Sequence, residues 1–257
     1  MKPNARYPSL LDKAVLVTGG ATGIGAELVS AFARQGAKVG FIDLDAASAQ
    51  RLMSDLPGLD EVRHAPAFVA ADITDTAVLN AAIATLAEAC GPFTALVNNA
   101  ANDQRRRFDD ITPEAWDQGI AVNLKHQFFA AQAVVPGMRK AGGGSIINLG
   151  SVSWMLKQGG MPVYTTAKSA VQGLTRSLAR DLGPDRIRVN TVVPGWVMTD
   201  KQIRLWLTDA GREDIKRGQC IQGELLPQHI ASMVLFLAAD DSAMCSAQDF
   251  IVDGGWT

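Results

Sequence analysis

The sequence predicts an α/β fold, a single doubly wound parallel sheet of seven strands with helices on both faces. Three observations predict it. Short apolar, β-rich runs recur at Ala14–Thr18, Lys38–Asp43, Ala67–Ala71, Ala95–Asn98, Ser145–Leu149, Arg188–Val193 and Phe250–Val252. Segments of helical period lie between them; Ile24, Leu28, Val29 and Phe32, spaced by three and four, put one apolar stripe against a sheet. The strand runs are apolar nearly throughout instead of alternating, as required when helices cover both faces. Strands alternating with helices in this way build a parallel sheet.

At 257 residues and 47% hydrophobic content, one domain spanning 1–257 is expected. The formal net charge of −2 offers no long-range attraction for nucleic acid or anionic lipid, so neither is expected as a partner. The opening MKPNARYPSLLDK carries some positive charge, but its apolar run is too short for a secretory signal. No apolar stretch approaches the ~20 residues that span a bilayer. Cys90, Cys220 and Cys245 show no CxxC spacing, which suggests reduced thiols in the cytoplasm. His64, His126 and His229 stand far apart, so no catalytic metal is expected.

The first strand runs straight into Thr18-Gly-Gly-Ala-Thr-Gly-Ile-Gly25 and then into an amphipathic helix. Glycine at 19, 23 and 25 lets the backbone turn tightly, approach a pyrophosphate and aim amides and a helix N-terminus at its charge. The second strand ends at Asp43, about twenty residues beyond these glycines, where a carboxylate can accept hydrogen bonds from an adenosine ribose. The same carboxylate repels the extra phosphate of NADP, and no arginine follows in Asp43-Leu-Asp45, so NAD is favoured over NADP. The alternative is that Asp43 caps the next helix. Asp72, after the third strand, can meet an adenine or begin a turn.

Tyr164 and Lys168 are four apart in a helical segment, so both functional groups can meet one ligand. A phenol, with a pKa near ~10, is a poor base at neutral pH, and a neighbouring ammonium favours its phenolate. Ser151 stands at the end of the fifth strand, thirteen residues before Tyr164, where such sheets bind ligands. Its hydroxyl could hold a substrate oxygen.

With TGGATGIG, Asn98-Asn-Ala-Ala101, Asn123, the Ser151/Tyr164/Lys168 set and Pro194-Gly195, the chain resembles the short-chain dehydrogenase/reductase family nearly end to end. The resemblance implies a Rossmann-type sheet in the order 3-2-1-4-5-6-7, with Tyr164 as acid/base and Ser151 orienting the substrate. It also implies that Lys168 binds the nicotinamide ribose and lowers the tyrosine pKa, and that Asn123 completes a water-linked proton relay. Cofactor contacts are implied at Gly19, Thr22, Gly23, Ile24, Gly25, Asp43, Asp72, Ile73, Asn99 and Ala100. Pro194, Gly195, Val197 and Thr199 match the segment that holds the nicotinamide carboxamide, and Tyr164 and Lys168 touch the cofactor too. Ala101 and Gly150 depart from the family pattern, which has a glycine and often a serine there.

The substrate pocket is expected from Asn102, Asp103, Ser151, Ser153, Trp154, Gln158, Tyr164, Trp196, Trp206 and Gln219, with residues 196–226 as a lid. Amides, hydroxyls and indoles suit a polyhydroxylated substrate. The stretches NAANDQRR, AVNLKHQFFAAQAVVPGM and VDGGW are similar to bacterial aldose 1-dehydrogenases acting on pentoses, galactose or fucose. That similarity implies oxidation of an aldose to its lactone. A ketone or 3-oxoacyl reductase on the same scaffold is the nearest rival, and a cofactor-binding regulator without turnover is another. Arg105, Arg106 and Arg107 are expected to form a solvated turn, with an acidic or phosphorylated substrate as the lesser alternative. The resemblance also implies a homotetramer, paired through helices near Val122–Met138 and Tyr164–Leu182 and through the C-terminal strand.

Overall fold

The computed structural model describes residues 5–56 and 61–257; residues 1–4 of the N-terminal stretch and 57–60 of the expected domain lie outside the described residues. Seven strands form one sheet: β1 (Ala14–Thr18), β2 (Lys38–Asp43), β3 (Ala67–Ala70), β4 (Ala95–Asn98), β5 (Gly144–Leu149), β6 (Ile187–Pro194) and β7 (Asp249–Val252). Their order is β3-β2-β1-β4-β5-β6-β7, and every pairing is parallel. The seven expected runs therefore lie within one or two residues of the observed strands.

The helices are α1 (Gly23–Arg34), α2 (Ala46–Asp55), α3 (Thr76–Cys90), α4 (Pro113–Ile120), α5 (His126–Ala141), α6 (Pro162–Leu182), α7 (Asp200–Leu205), α8 (Asp209–Gly218) and α9 (Pro227–Ala238). Side chains alternate across the sheet, so Val15 and Val17 of β1 join one core while Leu16 joins the other. The first core packs Leu28 and Phe32 of α1 with Ile230 and Val234 of α9; the second packs Leu79 and Ile83 of α3 with Val134 and Met138 of α5. Burying a side chain such as Phe32 contributes about 1.5–3 kcal/mol. The segment 196–226 carries α7 and α8 and returns to the sheet side through a parallel bridge, Val197 to Leu225.

The sheet also contains a polar chain close to its carboxyl edge. Asn98 Nδ2 of β4 donates to Asn148 Oδ1 of β5 (2.9 Å), and Asn148 Nδ2 donates to Thr175 Oγ1 of α6 (2.9 Å). Thr191 of β6 donates to the same Thr175 hydroxyl (2.9 Å). All four residues are buried, so each bond is made where water cannot substitute for it. Asn148→Ala should therefore cost about 1–3 kcal/mol, by removing one of two bonds at the Asn98 amide, which keeps the Gln127 carbonyl (3.2 Å), and one of two at the Thr175 hydroxyl, which keeps Thr191. A drop in Tm below about 2 °C would show that the chain contributes little.

Candidate active site

The strand order reverses between β1 and β4, and the crevice at the carboxyl ends of such strands is where ligands fit. A cavity of about 1020 Å³ opens there, lined by Gly19, Thr22, Gly23, Ile24 and Gly25 from the first turn. Gly19 sits at φ +67°, and a Cβ on it would come within 2.7 Å of the Ala100 Cα. A Cβ on Gly25 would lie 1.8 Å from the Gly19 carbonyl oxygen. Neither position admits a side chain, and what remains is a shallow cradle under the free amides of the α1 N-terminus. Asn99 holds the cradle in place, its Nδ2 donating to the carbonyls of Thr18 (3.1 Å) and Gly19 (2.8 Å). The Thr18 hydroxyl in turn accepts from the amides of Asn99 and Ala100.

Asp43 leaves β2 into the same cavity and accepts from the Ala21 amide (2.9 Å) and the Asp45 amide (3.0 Å). It is not the cap of α2. That duty falls to Asp45, which accepts from the Ser48 amide (2.9 Å). Asp72 accepts from the amide and hydroxyl of Thr74, closing a turn, and it also lines the cavity beside Ile73. Arg51, one helical turn beyond Ser48 and hydrogen-bonded to its hydroxyl (2.8 Å), lines the cavity too. Sequence reading looked for an arginine only next to Asp43 and missed it.

Ser151, Tyr164 and Lys168 converge on a second, adjoining cavity of about 380 Å³. Tyr164 lines both, as do Asn99, Ala101, Asp103 and Thr199. Lys168 is buried and donates to the Leu149 carbonyl at the end of β5 (2.7 Å), with its Nζ 5.8 Å from the centre of the Tyr164 ring. Burial pushes this ammonium down to about 7. Burial also pushes the Tyr164 phenol up to about 12, with Asp103 adding to the rise and a hydrogen bond from Ser151 opposing it.

Asn123 lies in a single π-helical turn, Ala121–Lys125, between α4 and α5. Its side chain is fully engaged: Nδ2 donates to the carbonyls of Gly119 (2.9 Å) and Asn102 (3.0 Å), and Oδ1 accepts from the Asn102 amide (2.9 Å). It clamps the loop after β4. Only its main-chain carbonyl, holding a long 3.3 Å bond from Gln127, is left for any relay.

Pro194 ends β6, and Gly195 is pressed against Asp253 so closely that a Cβ would approach to 2.8 Å. Val197 and Thr199 follow, and Thr199 caps α7 while its methyl group reaches the Gly23 turn. Gly150 is explained by its neighbours, since a Cβ there would meet the Thr191 methyl at 3.0 Å. Ala101 needs no positive φ, so its methyl is accommodated at the junction of the two cavities.

Of the expected pocket residues, Ser151, Ser153, Gln158, Tyr164, Trp196 and Asp103 line the smaller cavity, and Asn102 lines the larger one. Trp154, Trp206 and Gln219 stand off it. Trp154 is part-buried beside the loop, Trp206 packs under Arg105, and Gln219 is buried against Gly254 near the C-terminus. Asp103 is tied to α7 by Lys201 and by Gln202, both at 2.6 Å. Arg106 and Arg107 are exposed, as a solvated turn requires, with Arg106 on the open side of the larger cavity, whereas Arg105 is half-buried in the wall of the smaller one, which corrects the reading for that residue. Among the described residues, no group of three or more His, Cys, Asp or Glu is placed to hold a metal ion.

The buried Lys168 ammonium also sets a sign for stability. Below pH 7 both folded and unfolded chains carry its proton; between 7 and 10.5 the unfolded chain binds more, so stability rises with pH. Relative to Lys168→Met, which has no such proton, the wild-type chain should gain about 2 kcal/mol from pH 7 to pH 9 in chemical denaturation. A constant difference between the two proteins would mean that the lysine is not perturbed.

Residues 19–257 match the family described as Enoyl-(Acyl carrier protein) reductase. The chain is 44% identical to a probable galactose dehydrogenase of Rhizobium meliloti, covering 98% of each. It is 44% identical to a D-xylose 1-dehydrogenase of Caulobacter vibrioides, covering 98% of this chain and 99% of that one. Its fold superposes on a 7α-hydroxysteroid dehydrogenase complexed with NADH and 7-oxo glycochenodeoxycholic acid, at a TM-score of 0.90 and 30% identity over 96% of both chains. A glycine cradle on β1, a serine at the end of β5 and a YxxxK pair on α6 thus stand on a chain that belongs to the short-chain dehydrogenase/reductase family.

Proposed function

We propose that this protein is an NAD-dependent aldose 1-dehydrogenase, oxidising the anomeric carbon of a sugar to the lactone. The observation that carries the reading is Tyr164 standing in the wall shared by a dinucleotide-sized cavity and a smaller one that also holds Ser151, Lys168, Gln158 and Arg105. Similarity to a galactose and a xylose dehydrogenase over nearly the whole chain directs the choice to an aldose.

The residues present fit a nicotinamide dinucleotide. The cradle at Gly19, Gly23 and Gly25 would take the pyrophosphate, Asp43 the adenosine ribose, and Asp72 and Ile73 the adenine side. Asn99, Ala100, Thr22 and Ile24 complete that wall, while Pro194, Gly195, Val197 and Thr199 would hold the nicotinamide end with Lys168. NAD, when bound, supplies the acceptor for the hydride. Tyr164 takes the proton of the anomeric hydroxyl, and the Ser151 hydroxyl steadies the oxygen as its bond to carbon becomes double. The main-chain carbonyl of Asn123 is the point at which a water-linked relay can leave the site. Residues 196–226 act as a lid that keeps water from the reacting atoms.

Asp43 supports NAD over NADP by repulsion, and the nearby Arg51 moderates that preference. Asp43→Ala should lower kcat/KM with NAD about tenfold and narrow its advantage over NADP. The protein works in the cytoplasm, on the ground of its free cysteines Cys90, Cys220 and Cys245, and no helix among the described residues is long and apolar enough to cross a membrane. It assembles as a homotetramer; exposed Trp116 on α4, Phe128 on α5 and Ile251 on the edge strand β7 support this, and light scattering measures it.

With aldoses, polyols and secondary alcohols tested against NAD and NADP, turnover should be confined to one or two aldoses with NAD. Activity on apolar alcohols alone would point to the reductase reading instead. Tyr164→Phe should cut kcat by about 10²–10⁴-fold while NADH fluorescence still reports binding. Because burial raises the phenol, oxidation in the wild type should rise with pH above neutrality, and a flat profile would remove Tyr164 from the role of base.

A further inference from the structure

Arg105 is a charged side chain in the substrate cavity that the reaction above does not use. It leaves the loop after β4 and lies over two indoles of the segment 196–226, with its guanidinium carbon 4.5 Å from the Trp206 ring and 5.7 Å from the Trp196 ring. Such stacking holds a planar cation in one orientation and desolvates its faces without supplying hydrogen-bond acceptors. Its Nε is sealed from solvent with no partner, whereas the terminal nitrogens are not sealed and have no acceptor among the described residues. The two carboxylates lining the same cavity are already engaged, Asp103 by Lys201 at 2.6 Å and Asp214 by Arg217. The smaller cavity is therefore lined by a guanidinium, seated on two indoles, whose terminal nitrogens are left without an acceptor among the described residues.

We infer that Arg105 is a specificity-determining residue, donating from its terminal nitrogens to two adjacent oxygens of the substrate away from the carbon being oxidised. This rests on the aldose reading. Ser151 and Tyr164, carried by β5 and α6, take the anomeric oxygen, so a fork on the β4 loop meets another part of the ring. A guanidinium fork matches a pair of oxygens held about 2–2.5 Å apart, as in a carboxylate, and it also bridges the neighbouring hydroxyls of a sugar. The shared chemistry is a pair of adjacent acceptor oxygens, supplied either by a vicinal diol or by the carboxylate of a uronic acid. Trp196 and Trp206 act through Arg105 as positioning residues.

The test compares kcat/KM for the wild type, Arg105→Ala and Arg105→Lys on the best aldose, its single-deoxy analogues and the matching uronic acid, with NADH binding as the check on folding. Arg105→Lys keeps the charge without the planar fork and guards against a folding defect in the alanine variant. The wild type should favour the complete sugar over at least one deoxy analogue by tenfold or more, and both variants should shrink that ratio below threefold, mainly through KM. Loss of a uronic-acid advantage in the variants would identify a carboxylate as the group held; a ratio that depends only on hydroxyl deletion would identify a diol. Equal losses on every substrate would overturn the assignment and leave Arg105 a prop for the segment 196–226, and unchanged kinetics would overturn it outright. A wild type silent on every sugar would overturn this inference together with the aldose reading, whereas an active wild type with insensitive variants would overturn this inference alone.

Discussion

The site depends on one buried hydrogen bond, from the Lys168 ammonium to the Leu149 carbonyl at the end of β5. A buried ammonium is costly, and the 2.7 Å bond to a backbone oxygen together with the face of the Tyr164 ring offsets part of that cost. The same bond pins α6 against the tip of β5. Tyr164 rides one turn earlier on α6, and Ser151 follows Leu149 by two residues, so fixing this contact brings the hydroxyl and the phenol together. Burial that lowers Lys168 and raises Tyr164 follows from the same packing.

The strands beneath are aligned to make that contact possible. The chain from Asn98 through Asn148 and Thr175 to Thr191 crosses β4, β5, α6 and β6 within one layer, and a slip of any strand would leave a buried amide or hydroxyl unpaired. The Thr18 and Asn99 clasp does the same between β1 and β4, where the cofactor cradle opens. Asn123 extends the pattern outward by gripping both the amide and the carbonyl of Asn102. Each contact converts a strand end into a fixed point, so the loops that carry chemistry start from rigid positions.

Much of this was legible in the sequence because it is local. Tyr164 and Lys168 share a face by helical spacing alone, and glycine at 19 and 25 announces a turn that admits no side chain. Other residues were illegible because their surroundings come from distant segments. Arg105 reads as part of a basic surface run until Trp196 and Trp206, about a hundred residues later, fold over it. Arg51 enters the cofactor cavity only because α2 turns it there, and Trp154 and Gln219 share the composition of a sugar pocket without facing one.

The sequence by itself determined the seven strands, their parallel class through strand–helix alternation, the glycine cradle and the shared helix face of Tyr164 and Lys168, since all of these follow from periodicity and steric rules over a few residues. Tertiary structure decided which polar side chains line the smaller cavity, how Asp103 and Asp214 are paired, and that Asn123 uses its side chain as a clamp. It also decided the direction in which Lys168 and Tyr164 are perturbed. The reason is physical: burial and charge pairing are sums over neighbours from the whole chain, whereas helix and strand period is a property of the chain's own next turn.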